Sequence, residues 1–518
     1  MQTASNSNNL GMRLTGLYQP GEDEFTELAG RYNLVTVSRT VSADTETPVT
    51  AFLKLGGGRY GFLLESAEGG ERWGRYSFIG CEPHMVIRCK DGKLDFPVGK
   101  GEALEGVNPI DFLFETMDGF NACGYSNGLP FCGGAVGYIS YDLLPYMESI
   151  ELNASDGLDL PEMMFALTRT SAAFDHLMGR MILMANVPIP EEAGEPELRN
   201  IYRQAIASIE SMAKTLAGSI PRDPTSDVYF LSEETDFQGV SSNFTREEYE
   251  GVVEKAKEYI FAGEAFQIVP SQRFSFPLRC SPFSIYRSLR SENPSPYMFY
   301  LRFDDLFLVG SSPEPLVRQR DGQAAIRPIA GTRPRGKTPE EDKELEEELL
   351  RDTKERAEHV MLVDLARNDL GRVCSPGTVK VTRMMEVERF SHVMHLVSEV
   401  TGTLRPGRNN RDLFCSSFPA GTVSGAPKIR ACQIIDELEK DRRGPYAGAV
   451  GYISYSGDMD TCIAIRTIVA RGDTAHVQAG GGVVADSEPA QEYEETRNKA
   501  RALLRAVRLA EAKEGGRL

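Results

Sequence analysis

Short apolar runs, punctuated by glycine and proline turns, dominate the first part of the chain. LVTVSRTV and PVTAFLKL, between Asn33 and Leu55, predict strands that end at the glycine turn Gly56 to Gly58. GFLLES, ending at Glu65 and Ser66, and GRYSFIG, Gly74 to Gly80, predict two more. MVIRCKDGKLDFPV carries Asp91–Gly92, a dipeptide suited to a tight hairpin because both positions tolerate positive φ. A helix begins near Ile110 to Glu115. FCGGAVGYISYDLL (Phe131 to Leu144) predicts a buried strand whose glycines admit a second backbone. A helical period over Glu195 to Leu216 predicts an amphipathic helix, and Gly218 to Asn243 a linker.

The later pattern is more helical. Thr245-x-x-Glu248 is a capping box heading a helix to about Phe261, stopped by Gly263. FQIVPSQRFSF predicts a strand, Pro282 to Ser291 a helix, and Asn293 to Pro296 a turn into YMFYLRF. Thr338–Pro339 opens an acidic helix that reads as a solvated face. A longer helix, Asp352 to Leu370, carries Glu355 and Glu358. Thr474 to Ala479 is β-prone and leads into Gly480, Gly481 and Gly482. After the turn at Ser487 to Pro489, a helix presents Glu492, Glu495 and Lys499 on one face. The heptapeptide AVGYISY occurs at Ala135 to Tyr141 and again at Ala449 to Tyr455. Two similar strand environments, one in each half and facing each other, would explain it.

Composition narrows the function classes. The chain has 518 residues, 41% apolar and 25% charged, enough for a large core. A net charge of −18 disfavours nucleic acid or an anionic membrane as partner, so an anionic substrate would need a locally positive pocket. No apolar run is long enough to span a bilayer, and MQTASNSNNLGMRL does not resemble a signal peptide. The nine cysteines are scattered without a C-x-x-C pair, which reads as reduced thiols in a cytoplasm.

Two Glu-x-x-Glu faces, Glu355/Glu358 and Glu492/Glu495, could surround one divalent ion with oxygen ligands, which suits Mg2+ better than zinc or iron. Surface acids on solvated helices are the competing reading. His392 and His395 have no Cys or His partner at zinc spacing. The three glycines would let backbone amides approach an anion closely.

PIAGTRPRG (Pro328 to Gly336), EHVMLVDLARNDLGRV (Glu358 to Val373), VMHLVS (Val393 to Ser398), GTVSGAPKIRA (Gly421 to Ala431) and EETRNKAR (Glu494 to Arg501) follow one another in that order. Together they resemble the chorismate-utilising enzymes, most closely the large subunits (component I) of anthranilate synthase. The resemblance covers the second half closely, and in the first half rests on LLES and GGAVGYISYD. It implies an α/β (α+β) fold of two large antiparallel sheets packed as a sandwich with helices outside. An N-terminal region over 1–243 would hold a regulatory tryptophan site and contribute strands; 244–518 would bind chorismate.

Carried over by motif, Glu358 and Glu495 would ligate Mg2+, with Glu355 and Glu492 acting through water. Arg466, Tyr446 and the amides of Gly480 to Gly482 would hold the enolpyruvyl carboxylate, with Ala330, Gly331 and Thr332 lining the substrate pocket and Lys499 adding positive charge. Arg466 is placed in the apolar strand TCIAIRTIV; a strand salt bridge is its alternative use. Glu314, in the SSPEP turn, would be the general acid for a departing hydroxyl, and needs a raised pKa to be protonated. His395 would be the base for the C2 proton, with Thr422 beside it; a satisfied core histidine is the alternative.

Two positions separate sister enzymes. Aminodeoxychorismate synthases commonly place a nucleophilic Lys where this chain has Ala330. Isochorismate and salicylate synthases place a water-activating Lys at the position of Gln267. Both residues favour ammonia as nucleophile and anthranilate with pyruvate as products. No cysteine stands in a glycine-rich amidotransferase elbow, so the resemblance implies a separate glutamine amidotransferase subunit (component II) as ammonia source. Glu65, Ser66, Asn293, Pro294, Ser295, Pro296, Tyr297, Met298 and Cys462 would form a tryptophan feedback site; for LLES, a plain strand end is the alternative. From a different class, the chain could be a tryptophan-binding regulator without turnover.

Overall fold

The computed structural model describes residues 17–66, 74–123, 128–155, 157–220, 237–390 and 393–515. The polar lead-in, most of the expected linker, part of the Glu68 to Gly80 stretch and His392 lie outside the described residues.

Antiparallel ladders run continuously from one half of the chain to the other. Phe62–Glu65 pairs with Tyr297–Phe303, placing Met298 opposite Glu65. The two copies of the heptapeptide face each other: Gly134–Ile139 pairs antiparallel with Ala449–Ser454, Gly137 opposite Gly451. Ala135 meets Ile453 and Ile139 meets Ala449, so the pairing is symmetric about the two glycines. The glycines are there for space. A Cβ on Gly137 would lie 1.9 Å from the Met164 carbonyl oxygen, and one on Gly451 2.2 Å from that of Asp460.

Burial explains the layering. One core consists of strand and loop residues, including Phe62, Phe78, Tyr138, Phe299, Leu308 and Tyr452, packed on the antiparallel ladders. A second packs Phe25, Tyr202, Ile209, Tyr286 and Leu504 from helices against Val37 and Phe274. A third packs Leu113, Val363, Leu370 and Phe414 from helices against Ala135, Phe165 and Val317. This is the expected α+β class, large antiparallel sheet structure with helices outside.

Local chemistry overrides the strand pattern at PVTAFLKL and at FQIVPSQRFSF. PVTAFLKL forms the helix Pro48–Leu55: Thr47 and Thr50 make a reciprocal capping box, Pro48 suits the first turn, and Gly56 closes the end at φ 76°. FQIVPSQRFSF is two strands in different sheets, Gln267–Ile268 and Ser271–Pro277, because the run breaks at Pro270, which has no N–H to donate. The helices that matter for the site follow expectation. Thr353–Val373 is capped by the Asp352 carboxylate, which accepts from the amides of Lys354 and Glu355, and Pro489–Gly515 follows the glycine loop. Among the described residues, no helix is long and apolar enough to cross a membrane.

Candidate active site

Glu314 sits between the strands Leu306–Ser312 and Pro315–Arg320, and its carbonyl accepts from the Ile463 amide at 3.0 Å. Burial raises its pKa, opposed by a hydrogen bond from Thr422 Oγ1 (2.8 Å) and by the charges of Lys499 and Arg466. A carboxyl in that setting can hold a proton and deliver it.

His395 lies on the strand Val393–Thr403, opposite Thr332 on Ile329–Pro334. The latter strand bulges at Gly331, which takes φ 69° and turns its carbonyl to the histidine. That carbonyl can only accept, so Nδ1 carries the proton at 3.0 Å and Nε2 keeps its lone pair. Thr332 Oγ1 lies 3.1 Å from the same nitrogen. Burial lowers the His395 pKa, and the backbone bond to Gly331 works against that, so the neutral imidazole is favoured.

Arg466 corrects the sequence reading. It lies not within a strand but between Met459–Ile463 and Thr467–Arg471, with φ 50°, a left-handed backbone uncommon for a non-glycine residue. Its Nη1 donates to the Lys499 carbonyl at 3.0 Å. Its charge works against the raised Glu314 pKa and adds to the lowering at His395. Burial lowers the Arg466 pKa, opposed by Glu314, Tyr446 and Glu495. Tyr446 is pushed up to about 12 by burial and therefore stays a neutral donor.

The glycine loop is shaped by crowding. Added Cβ atoms would lie 2.6 Å from the Pro270 oxygen at Gly480, 2.6 Å from Glu492 Oε2 at Gly481, and 2.6 Å from Gln267 Nε2 at Gly482. The Gly481 amide is already used, donating to Pro270 O at 3.2 Å, so the loop offers fewer amides to an anion than three glycines suggest. Lys499 donates to the Gly480 carbonyl at 2.9 Å and pairs with Glu495 at 2.6 Å. The lysine thus braces the loop as well as adding charge.

One acid of each pair reaches this loop, Glu492 directly and Glu358 through Gln267, without forming a ready-made cage. Gln267 Nε2 donates to Glu358 Oε1 at 3.1 Å, and burial together with the Glu358 charge raises the Glu355 pKa, against Arg333. Glu492 accepts from Ser487 Oγ at 2.7 Å while its Oε2 is buried with no partner. Among the described residues, no three acid, histidine or cysteine side chains gather closely enough to hold an ion alone. An all-carboxylate donor set with an orphaned buried oxygen still fits Mg2+, which keeps waters and binds through few carboxylates plus substrate oxygens. Sequence reading valued Gln267 only for what it is not; its role as a donor to Glu358 depends on a fold contact that spacing cannot reveal.

A separate cavity of about 740 Å³ gathers Glu65, Ser66, Pro296, Tyr297, Met298 and Cys462. Asn293, Pro294 and Ser295 are not in its wall; they form the turn leading to it, with Ser311 Oγ donating to the Asn293 carbonyl. Glu65 accepts from Tyr286 Oη at 2.5 Å and from Arg290 at 3.1 Å, while Ser66 Oγ is buried without a partner. Asp460 was not anticipated: it accepts from Tyr297 Oη at 3.0 Å, and burial pushes its pKa up to about 6.

Comparison gives the class: the chain belongs to the chorismate-binding enzymes, whose family model matches residues 60–505. Its relatives are more particular. It is 47% identical to anthranilate synthase component 1 of Aquifex aeolicus over 94% of this chain and 98% of that protein. With the Pseudomonas aeruginosa component 1 it shares 45% identity over 94% and 99%. The crystal structure of anthranilate synthase component I from Streptococcus pneumoniae superposes with a TM-score of 0.71 at 38% identity, covering 84% of this chain and 93% of that one. The menaquinone-specific isochorismate synthase of Escherichia coli, at 19% identity, shares the fold with a TM-score of 0.67 over 94% and 98%.

Proposed function

We propose that this chain is the chorismate-converting subunit of an anthranilate synthase, turning chorismate and ammonia into anthranilate and pyruvate, the first committed step of tryptophan biosynthesis. The observation that carries the reading is the buried Glu314 carboxyl held by Thr422, in a chain 47% identical over 94% of its length to an anthranilate synthase component 1. Ammonia forms the new bond at C2 as the C4 hydroxyl departs, and Glu314 protonates that hydroxyl so that it leaves as water. His395 Nε2 then takes the C2 proton; the electron pair aromatises the ring as the bond to the enolpyruvyl oxygen breaks, and the departing enolate gains a proton on carbon and is released as pyruvate. Thr422 holds the Glu314 carboxyl in place through its hydrogen bond. Arg466 and Tyr446 would bind the enolpyruvyl carboxylate. Glu358 and Glu495, with Glu355 and Glu492 behind waters, would hold Mg2+, which supplies positive charge for the ring carboxylate.

Ala330 lies opposite Leu396 and offers no nucleophile. Gln267 is engaged with Glu358 and has no basicity to activate water. Both features support ammonia as the attacking species, delivered from glutamine by a partner subunit and replaced by free ammonium when that partner is absent. The cavity about Ser66 would bind tryptophan and make the lyase feedback-inhibited; the protein would work in the cytoplasm. The test is purified protein with chorismate, ammonium and Mg2+ at alkaline pH. Anthranilate fluorescence that appears, and is lost on chelation, supports the reading. Tryptophan binding without turnover would replace it with the regulator.

A further inference from the structure

We propose that the buried Arg443–Glu439 pair is a positioning device that sets the acid side and the glycine-loop side of the pocket together. It rests on the reading of Glu314 as general acid. Neither residue lies in any motif that marks the family resemblance above.

Arg443 and Glu439 lie one turn apart, past the end of the helix Lys428–Leu438, and are 2% and 7% exposed. The carboxylate accepts from Arg443 Nη2 at 2.6 Å and Nε at 2.9 Å. The same guanidinium donates through Nη1 to the Val423 carbonyl and through Nη2 to the Val269 carbonyl, each at 2.7 Å. Glu439 Oε1 also accepts from the Ser271 amide (2.7 Å) and hydroxyl (2.9 Å). A buried ion pair is weak evidence for stability, because desolvation offsets its attraction. Its planar, multidentate geometry is better suited to fixing several segments relative to one another.

Those segments are the ones the chemistry uses. Val423 follows Thr422, whose hydroxyl holds Glu314. Val269 and Ser271 flank Pro270, whose carbonyl accepts from the Gly481 amide and lies against Gly480. The guanidinium stands over the Tyr446 ring at 5.5 Å and the Tyr141 ring at 4.8 Å. Tyr141 ends the first heptapeptide, and there the first half of the chain grips Gly444: Ser140 Oγ donates to its carbonyl at 2.6 Å and its amide donates to Asp142 Oδ2 at 3.0 Å. Arg443 is thus where the amino-terminal half reaches the catalytic walls. It touches no reacting atom and acts through Thr422, Pro270 and Tyr446.

Arg443→Lys keeps the charge and loses the fork, and Glu439→Gln keeps the shape and loses the charge. Relative to wild type making anthranilate from chorismate and ammonium, kcat per folded molecule should fall on the order of 10- to 100-fold, as for displaced catalytic groups, and KM for chorismate should rise. Thr422→Val should cost much less in the Arg443→Lys background than in wild type, since the lysine variant has already released that segment. If Arg443→Lys does not fold, Glu439→Gln carries the same cycle. Turnover within twofold of wild type in a folded variant, or full additivity with Thr422→Val, overturns the proposal. An inactive wild type would instead count against the functional reading on which it rests.

Discussion

At the residue scale, Glu314 and His395 are opposite cases of one effect. Burial disfavours charge on both, which raises the carboxyl and lowers the imidazole, so each is pushed toward the protonation state its role needs. Glu314→Gln should lower kcat by roughly 10²- to 10⁴-fold, the usual worth of a general acid, with chorismate KM little changed. The Thr422 hydrogen bond holds the Glu314 pKa down. Thr422→Val should therefore raise it, and because the acid must be protonated, the alkaline limb of the pH–kcat profile should move to higher pH. A limb moving to lower pH would assign it to another group. In the second cavity, the Ser66 hydroxyl is buried without a partner. Ser66→Phe should weaken tryptophan inhibition about tenfold or more, in keeping with a steric penalty of ~1–3 kcal/mol, and leave uninhibited turnover nearly intact. Inhibition curves with and without the substitution decide it.

At the scale of elements, glycines separate into two kinds. Gly137 has no room for a side chain, whereas Gly251, within the helix Arg246–Phe261, would place a Cβ with nothing inside 4 Å. Gly137→Val should destabilise by about 4 kcal/mol or more, and Gly251→Ala should stabilise by up to ~1 kcal/mol; thermal melts of the two variants check both. The same contrast explains what could be read from the chain beforehand. Helix caps and the duplicated strand were legible because local chemistry and repetition speak for themselves. PVTAFLKL misled because a short apolar run fits either period, although Thr47, Pro48 and Gly56 carried the helix signal. The left-handed turn at Arg466 and the Gly331 bulge were not legible, since both are imposed by distant strands.

At the scale of the molecule, the interleaved ladders mean that neither half completes the sheet structure alone. Motifs name candidate residues, but not which of them meet. Asn293, Pro294 and Ser295 stand back from the second cavity, Lys499 is partly spent bracing the loop, and the acids are not a closed cage. The isolated chain should turn over chorismate with ammonium but not with glutamine; turnover with glutamine alone would mean that it carries its own amidotransferase chemistry. The most direct test of the account is product stoichiometry in wild type and His395→Ala, assayed with chorismate, ammonium and Mg2+. Wild type should release anthranilate and pyruvate in equal amounts, while the variant should consume chorismate and accumulate the amino adduct with little pyruvate. Equal release of both products by His395→Ala at the wild-type rate would contradict it.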